Sequence, residues 1–160
     1  MRASVASGGS AWLQFSQVGF NASFRALDAY VTELYPPESN HLLDLEALSS
    51  PEVQFFVARF HGRTVGCGAL RHDPAGYGEL KRMFVRPEMR GRSIGRAILR
   101  RIEDEARLAE VPLIRLETGT LQPEALGLYR VEGYREIPAF GDYRPDPLSV
   151  FMEKSIAPRR

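Results

Sequence analysis

Apolar positions recur every second residue in several short runs and every third or fourth residue in longer ones. Trp12 to Val18 alternates loosely and reads as a first strand. Asn21 is a fitting N-cap for a helix over Ala22 to Leu34, with Phe24, Leu27, Val31 and Leu34 as its stripe, and Pro36-Pro37 stop it. A polar loop, Glu38 to Asn40, precedes a short second helix, Leu42 to Leu48, closed by Ser49-Ser50-Pro51. Val53 to Phe60 and Thr64 to Arg71 are β-rich runs joined by His61-Gly62-Arg63, a hairpin signal. After the loop His72 to Gly78, Leu80 to Val85 forms a central strand that Pro87 ends, since proline brings no N–H to a ladder.

A glycine-bearing turn, Arg90 to Gly95, then opens onto the clearest helix of the chain. Ile94, Ile98, Ile102, Ala106 and Ala109 form its apolar face, and Arg96, Arg100, Glu103 and Arg107 its polar one. Past Pro112, Leu113 to Leu116 reads as a buried parallel strand. A helix from Pro123 to about Val131 has proline at its favoured first position and ends at Gly133. Tyr134 to Ile137 and Ser149 to Glu153 are the last strands. The order β-α-α-β-β-β-α-β-α-β-β predicts an α/β fold with a mixed sheet of six to seven strands and about four helices.

Length and composition narrow the function. The 160 residues suit one domain, predicted over 11–157 behind a flexible Ser/Ala/Gly-rich segment at 1–10. A net charge of +1 gives no general basic field, so nucleic acid is not the expected partner. No apolar run reaches membrane-spanning length, and no signal-peptide pattern precedes the domain. Cys67 is the single cysteine, which fits a reducing cytoplasm, and its apolar strand makes it a core residue. His41, His61 and His72 have no metal-ligand spacing, so no metal is expected.

The chemistry concentrates around the glycine turn. Between Lys81 and Arg101 lie eight basic residues against one acid, Glu88, although the whole chain is nearly neutral. A strand, a glycine turn and a helix start place free N–H groups at the positive end of a helix dipole, a site for an anion such as a diphosphate. No Walker motif occurs, and Gly66-Cys67-Gly68 and Gly76-Tyr77-Gly78 lack the third glycine of a dinucleotide fingerprint. The turn resembles the acetyl-coenzyme A motif of the GNAT superfamily of N-acetyltransferases, [QR]-x-x-G-x-[GA], with Arg90 first, Gly95 last, and Ser93 where glycine is usual. Gln122 to Tyr129 resembles the second family pattern, N-x-x-A-x-x-[LF]-Y, with Gln122 in place of asparagine.

The resemblance covers nearly the whole chain beyond residue 10 and implies the GNAT fold, acetyl-CoA as co-substrate and direct transfer to an amine in a ternary complex. It implies a coenzyme site made of Met83, Phe84, Val85, Arg90, Gly91, Arg92, Ser93, Ile94, Gly95, Arg96, Gln122 and Tyr129. Tyr129 would give its proton to the departing thiolate, and a backbone N–H near Met83 or Val85 would polarise the thioester carbonyl. Glu79 and Glu117 are the candidate bases, and strict alternation puts Glu79, Lys81, Met83 and Val85 on one face. The acceptor site is expected between Tyr35 to His41 and Phe140 to Pro147, with Tyr35, His41, Lys81, Arg82 and Tyr143 as contacts. Lys81 and Arg82 either suit a carboxylate-bearing acceptor or pair with Glu79 and Glu117. The expected partner is a small-molecule amine, for a monomer or homodimer. The alternatives are a protein N-terminus or lysine as acceptor, or a non-catalytic acyl-CoA-binding module.

Overall fold

A computed structural model of the chain describes residues 13–18, 29, 32–33 and 45–158. Seven strands form one sheet: β1 (Leu13–Val18), β2 (Val53–Phe60), β3 (Arg63–His72), β4 (Gly78–Val85), β5 (Leu113–Gly119), β6 (Arg135–Ile137) and β7 (Ser149–Ser155). Among the described residues the helices with defined bounds are α1 (Leu45–Leu48), α2 (Ile94–Leu108) and α3 (Pro123–Val131), with a 3-10 turn over Pro87–Met89. The expected helix over Ala22 to Leu34 lies outside the described residues except at positions 29, 32 and 33, which are helical. The flexible segment expected at 1–10 also lies outside them.

The order across the sheet is β1-β2-β3-β4-β5-β7-β6. β2 and β3 are joined as their sequence demands: His61 and Gly62 have φ of 48° and 78°, the mirror-image turn whose twist matches a tight hairpin. All pairings are antiparallel except β4 with β5, which are parallel and matched only at Gly78–Ile114, Glu79–Arg115 and Leu80–Leu116. β4 runs on to Val85 and β5 to Gly119, so beyond those three rungs the two strands part.

Helix α2 covers one face of the sheet. Its stripe of Ile94, Ile98, Leu99, Ile102 and Ala106 is buried against Phe56, Leu70, Leu80, Leu116 and Met152. Each such aliphatic side chain contributes about 1.5–3 kcal/mol by leaving water. Gly66 and Gly68 let the helix come close: a Cβ on Gly68 would sit 2.8 Å from Ile102 Cδ1 and 2.8 Å from Met83 Sδ. The opposite face carries Phe55, Val57, Cys67 and Ala69 beneath Leu48, and a separate group of Tyr77, Phe140 and Phe151.

Two expectations are corrected. Glu103, assigned to the solvent face of α2, is buried, because both its carboxylate oxygens accept from Lys154 Nζ at 2.8 and 2.9 Å and Arg107 adds a second cation. Strict alternation along β4 also fails. The β3–β4 register slips between Cys67 and Ala69, and Arg82, at φ 56°, takes the extra position. This bulge turns Met83 and Val85 to the α2 face with Leu80, and Phe84 to the other. Glu79 and Lys81 therefore do not share a face with Met83 and Val85.

Candidate active site

A cleft of about 1640 Å³ opens where β4 and β5 part. Its walls are β4 from Leu80 to Val85, which beyond Leu80 has no partner on the β5 side, the turn entering α2, the end of β5 from Glu117 to Gly119, and the inner side of α3. The cleft exists because β5 leaves β4 with an unpaired edge, and backbone polar groups on such an edge need partners from elsewhere.

The entrance to α2 has an anion-binding shape. Gly91 has φ 76° and Ser93, the N-cap residue, φ 59°. Ser93 makes no side-chain capping bond, so the first amides of α2 keep their hydrogens unmatched within the helix. Arg90 Nε donates to the Val85 carbonyl at 3.1 Å and ties this turn to the end of β4. The turn is also held from outside: Arg86 Nε donates to the Thr64 carbonyl at 2.7 Å, and its guanidinium reaches the Glu33 carbonyl.

Tyr129 sits on α3, 5% exposed, and lines the cleft. Leu128, beside it, would lie 3.4 Å from a Cβ on Gly95, so the start of α2 and the tyrosine share one stretch of wall. Burial pushes the Tyr129 phenol up to about 12. Behind it stands Tyr134, ring centroids 5.7 Å apart, whose main-chain N–H donates to the Tyr129 carbonyl at 2.9 Å.

A polar group occupies the other face of β4. Glu79 is 1% exposed. Its Oε2 accepts from Arg71 Nε at 3.1 Å and Nη2 at 2.9 Å, and its Oε1 from the Tyr143 hydroxyl at 2.6 Å. Arg71 faces Glu79 across the β3–β4 ladder, which fixes this pair by register. Lys81 Nζ lies 3.4 Å from both Glu79 Oε1 and the Tyr143 hydroxyl. Burial, then the bond to Glu79, pushes the Tyr143 phenol up. Glu117 is exposed and accepts from Ser149 Oγ at 2.7 Å.

The cleft thus gathers Met83, Phe84, Val85, Arg90, Gly91, Ser93, Ile94, Gly95, Arg96, Gln122 and Tyr129 from the expected coenzyme site. Lys81, Arg82, Tyr143 and Glu117 also line it. Arg92 and Glu79 do not: Arg92 is exposed outside the wall, and Glu79 is sealed behind Tyr143 by Arg71. Tyr35 and His41 lie outside the described residues. Sequence reasoning did not name Thr118, Gly119 and Leu121 as cleft residues; the first two enter because β5 extends past Leu116 to Gly119, and Leu121 follows in the turn before α3. Among the described residues no group of three His, Cys, Asp or Glu side chains could hold a metal ion. No helix among them is long and apolar enough to cross a membrane.

Comparison with known proteins agrees with this geometry. The model of the acetyltransferase (GNAT) family matches residues 20–134. A protein of Azospirillum brasilense named IAA acetyltransferase is 55% identical over 131 residues, 81% of this chain and 86% of its own length. A solved structure from Klebsiella pneumoniae, provisionally described as an acyl-CoA N-acyltransferase, shares 36% identity. It superposes with a TM-score of 0.73 over 91% of this chain and 98% of that one. The fold also matches that of PaiA N-acetyltransferase from Thermoplasma acidophilum, solved with coenzyme A. There the identity is 16% and the TM-score 0.65, over 89% of this chain and 98% of that one. With the family model spanning the strands, the turn and the helix that build the cleft, the chain belongs to the GNAT family and is an acetyl-CoA-dependent N-acetyltransferase.

Proposed function

We propose that the protein moves the acetyl group of acetyl-CoA directly to a primary amine of a small molecule, both substrates lying in the cleft together, with Tyr129 as proton donor. One observation carries this reading: a single cleft joins the uncapped start of α2, the unpaired edge of β4 and a buried phenol that holds its proton. The residues fit the coenzyme. Gly91, Ser93, Ile94, Gly95 and Arg96 would hold its diphosphate with amides and a guanidinium, and Met83 to Val85 with Gln122 its extended arm. Acetyl-CoA supplies an acetyl group activated as a thioester.

The side chains divide the remaining work. Tyr129, raised to about 12 by burial, is almost fully protonated at neutral pH and gives its proton to sulfur only as negative charge builds there. An alkyl ammonium near pKa ~10.4 is neutral to only on the order of 0.1% at pH 7, so an acceptor for its proton raises the rate. Glu117 takes that role, since its carboxylate is exposed to the cleft, whereas Glu79 is held by Arg71 and Tyr143 and orients the phenol. Amides of β4 near Met83 and Val85 polarise the acyl carbonyl.

Tyr129→Phe tests the assignment. The variant is expected to lose about a hundredfold in kcat while its Kd for acetyl-CoA, by calorimetry, stays within about twofold. An unchanged kcat removes the proton-donor role. Coenzyme binding without turnover on any amine, small or peptide-borne, would instead make the protein an acyl-CoA-binding module.

A further inference from the structure

At the narrow end of the cleft, one step beyond the last β4–β5 rung at Leu80–Leu116, stand Lys81 and Glu117. By register they face each other across the gap, on the side of the sheet where Glu79 pairs with Arg115. Tyr143 completes the corner: its ring lies 5.9 Å from Lys81 Nζ. The Glu117 charge also reaches the Tyr143 hydroxyl, adding to the upward push on that phenol. A cation, an aromatic ring and an anion thus converge where the acceptor must enter.

The charges there are unequally satisfied. Glu79 has both oxygens taken at 2.6 to 3.1 Å by Arg71 and Tyr143. Lys81 has an ion pair with Glu79 and a contact to the Tyr143 hydroxyl, both at 3.4 Å, the far limit of a hydrogen bond. It shares that one carboxylate with Arg71, and an ammonium has three N–H groups to give. Glu117 accepts only the Ser149 hydroxyl among the described residues. Arg82, next in the chain and held in the bulge, lines the same cleft; its carbonyl accepts from Cys67 Sγ at 3.3 Å, while its guanidinium makes no hydrogen bond or ion pair with any described residue.

We infer that the acceptor is an amino acid or a close analogue, its ammonium on the Glu117 carboxylate and its carboxylate on the Lys81 ammonium, with Arg82 adding to the positive side. The assignment rests on the acetyl-transfer reading and deepens it. A simple amine would leave Lys81 facing a positively charged substrate, which costs binding, and a carboxylate turns that repulsion into a charge-assisted bond. In the reaction Glu117 takes a proton from the ammonium. The nitrogen lone pair then forms the C–N bond with the acetyl carbon, the C–S bond breaks, and sulfur keeps the electron pair and receives the Tyr129 proton. The second proton that nitrogen sheds on becoming an amide restores the Tyr129 phenol, and Glu117 releases its own to solvent.

The test measures kcat/KM by thiol release for α- and β-amino acids, their carboxamides and matched amines lacking the acid. The wild-type enzyme is expected to prefer the acid over its carboxamide by about tenfold or more. Lys81→Met removes that preference by lowering kcat/KM for the acid alone, with the KM for acetyl-CoA unchanged. Equal rates for acid and carboxamide in the wild type overturn the inference, as does an equal loss for both in Lys81→Met. If no amino acid is acetylated while a plain amine or peptide is, the inference falls and acetyl transfer stands. If acetyl-CoA itself fails to bind, the acetyl-transfer reading falls and takes the inference with it.

Discussion

Tyr129 and Ser93 show how much a single position decides. A proton donor raised to about 12 is lost only as pH climbs through that value, so Tyr129 stays competent across the working range. kcat/KM is therefore expected to show no fall below about pH 11 from this phenol. A descending limb near pH 9, shared by Tyr129→Phe, would belong to another group. Ser93 holds a left-handed backbone at φ 59° without using its hydroxyl as a cap. Ser93→Gly is expected to stabilise the fold by about 0.5–1 kcal/mol, seen as a Tm rise of a few degrees, with acetyl-CoA KM no worse. A lower Tm would mean that the hydroxyl holds something the helix start needs. The motif residues of this turn were readable because spacing encodes them. The sealing of Glu79 was not read, since it depends on Arg71 standing opposite in the β3–β4 ladder and on Tyr143 arriving from 64 positions away.

Among the elements, α2 and the β2–β3 hairpin were legible to within a residue or two, because one has a strong period and the other a turn that only certain residues can make. The bulge in β4 escaped. Leu80 to Val85 breaks alternation at the adjacent Lys81 and Arg82, yet a charged pair there also fits a strand edge in water, and nothing in Lys81-Arg82-Met83 announces a left-handed arginine. Its effect reaches the core, where Met83 Sδ lies near Gly68 under α2. This packing predicts an order of sensitivity. A Cβ at Gly66 would meet the Phe84 carbonyl oxygen at 2.8 Å, which the ladder holds, as well as Ile98 Cδ1. At Gly68 the obstructing atoms are ends of side chains that can rotate. Gly66→Ala is expected to cost more than Gly68→Ala, each about 1–3 kcal/mol, measured from urea midpoints. The reverse order would show that the sheet yields more readily than the helix.

Across the whole molecule, ion pairs join strands that sequence separates. Glu153 on β7 accepts from Arg115 of β5 at 3.0 Å and Arg135 of β6 at 3.2 Å. The Arg115 bond holds the Glu153 carboxyl below its usual range, with burial opposing and Arg135 helping. Asp73 is lowered too, first by the Ala75 N–H. A carboxyl lowered by folding adds stability above its unfolded pKa and loses it as pH falls through the folded one. Half-buried His72, whose imidazole burial holds below its usual range, should bring a first decline as pH falls below about 6.5. The urea midpoint should drop further below about pH 4, with Glu153→Gln flattening that second drop. An unaltered slope in the variant would place the acid sensitivity elsewhere.

The three-rung contact between β4 and β5 has a mechanical consequence. It makes the sheet two wings stitched at one end, with those backbone groups of residues 81–85 and 117–119 that point away from β3 and β7 left to water or to whatever fills the seam. The coenzyme would then act as a splint as well as a reactant, stiffening the join and slowing deuterium uptake there while the outer strands hardly change.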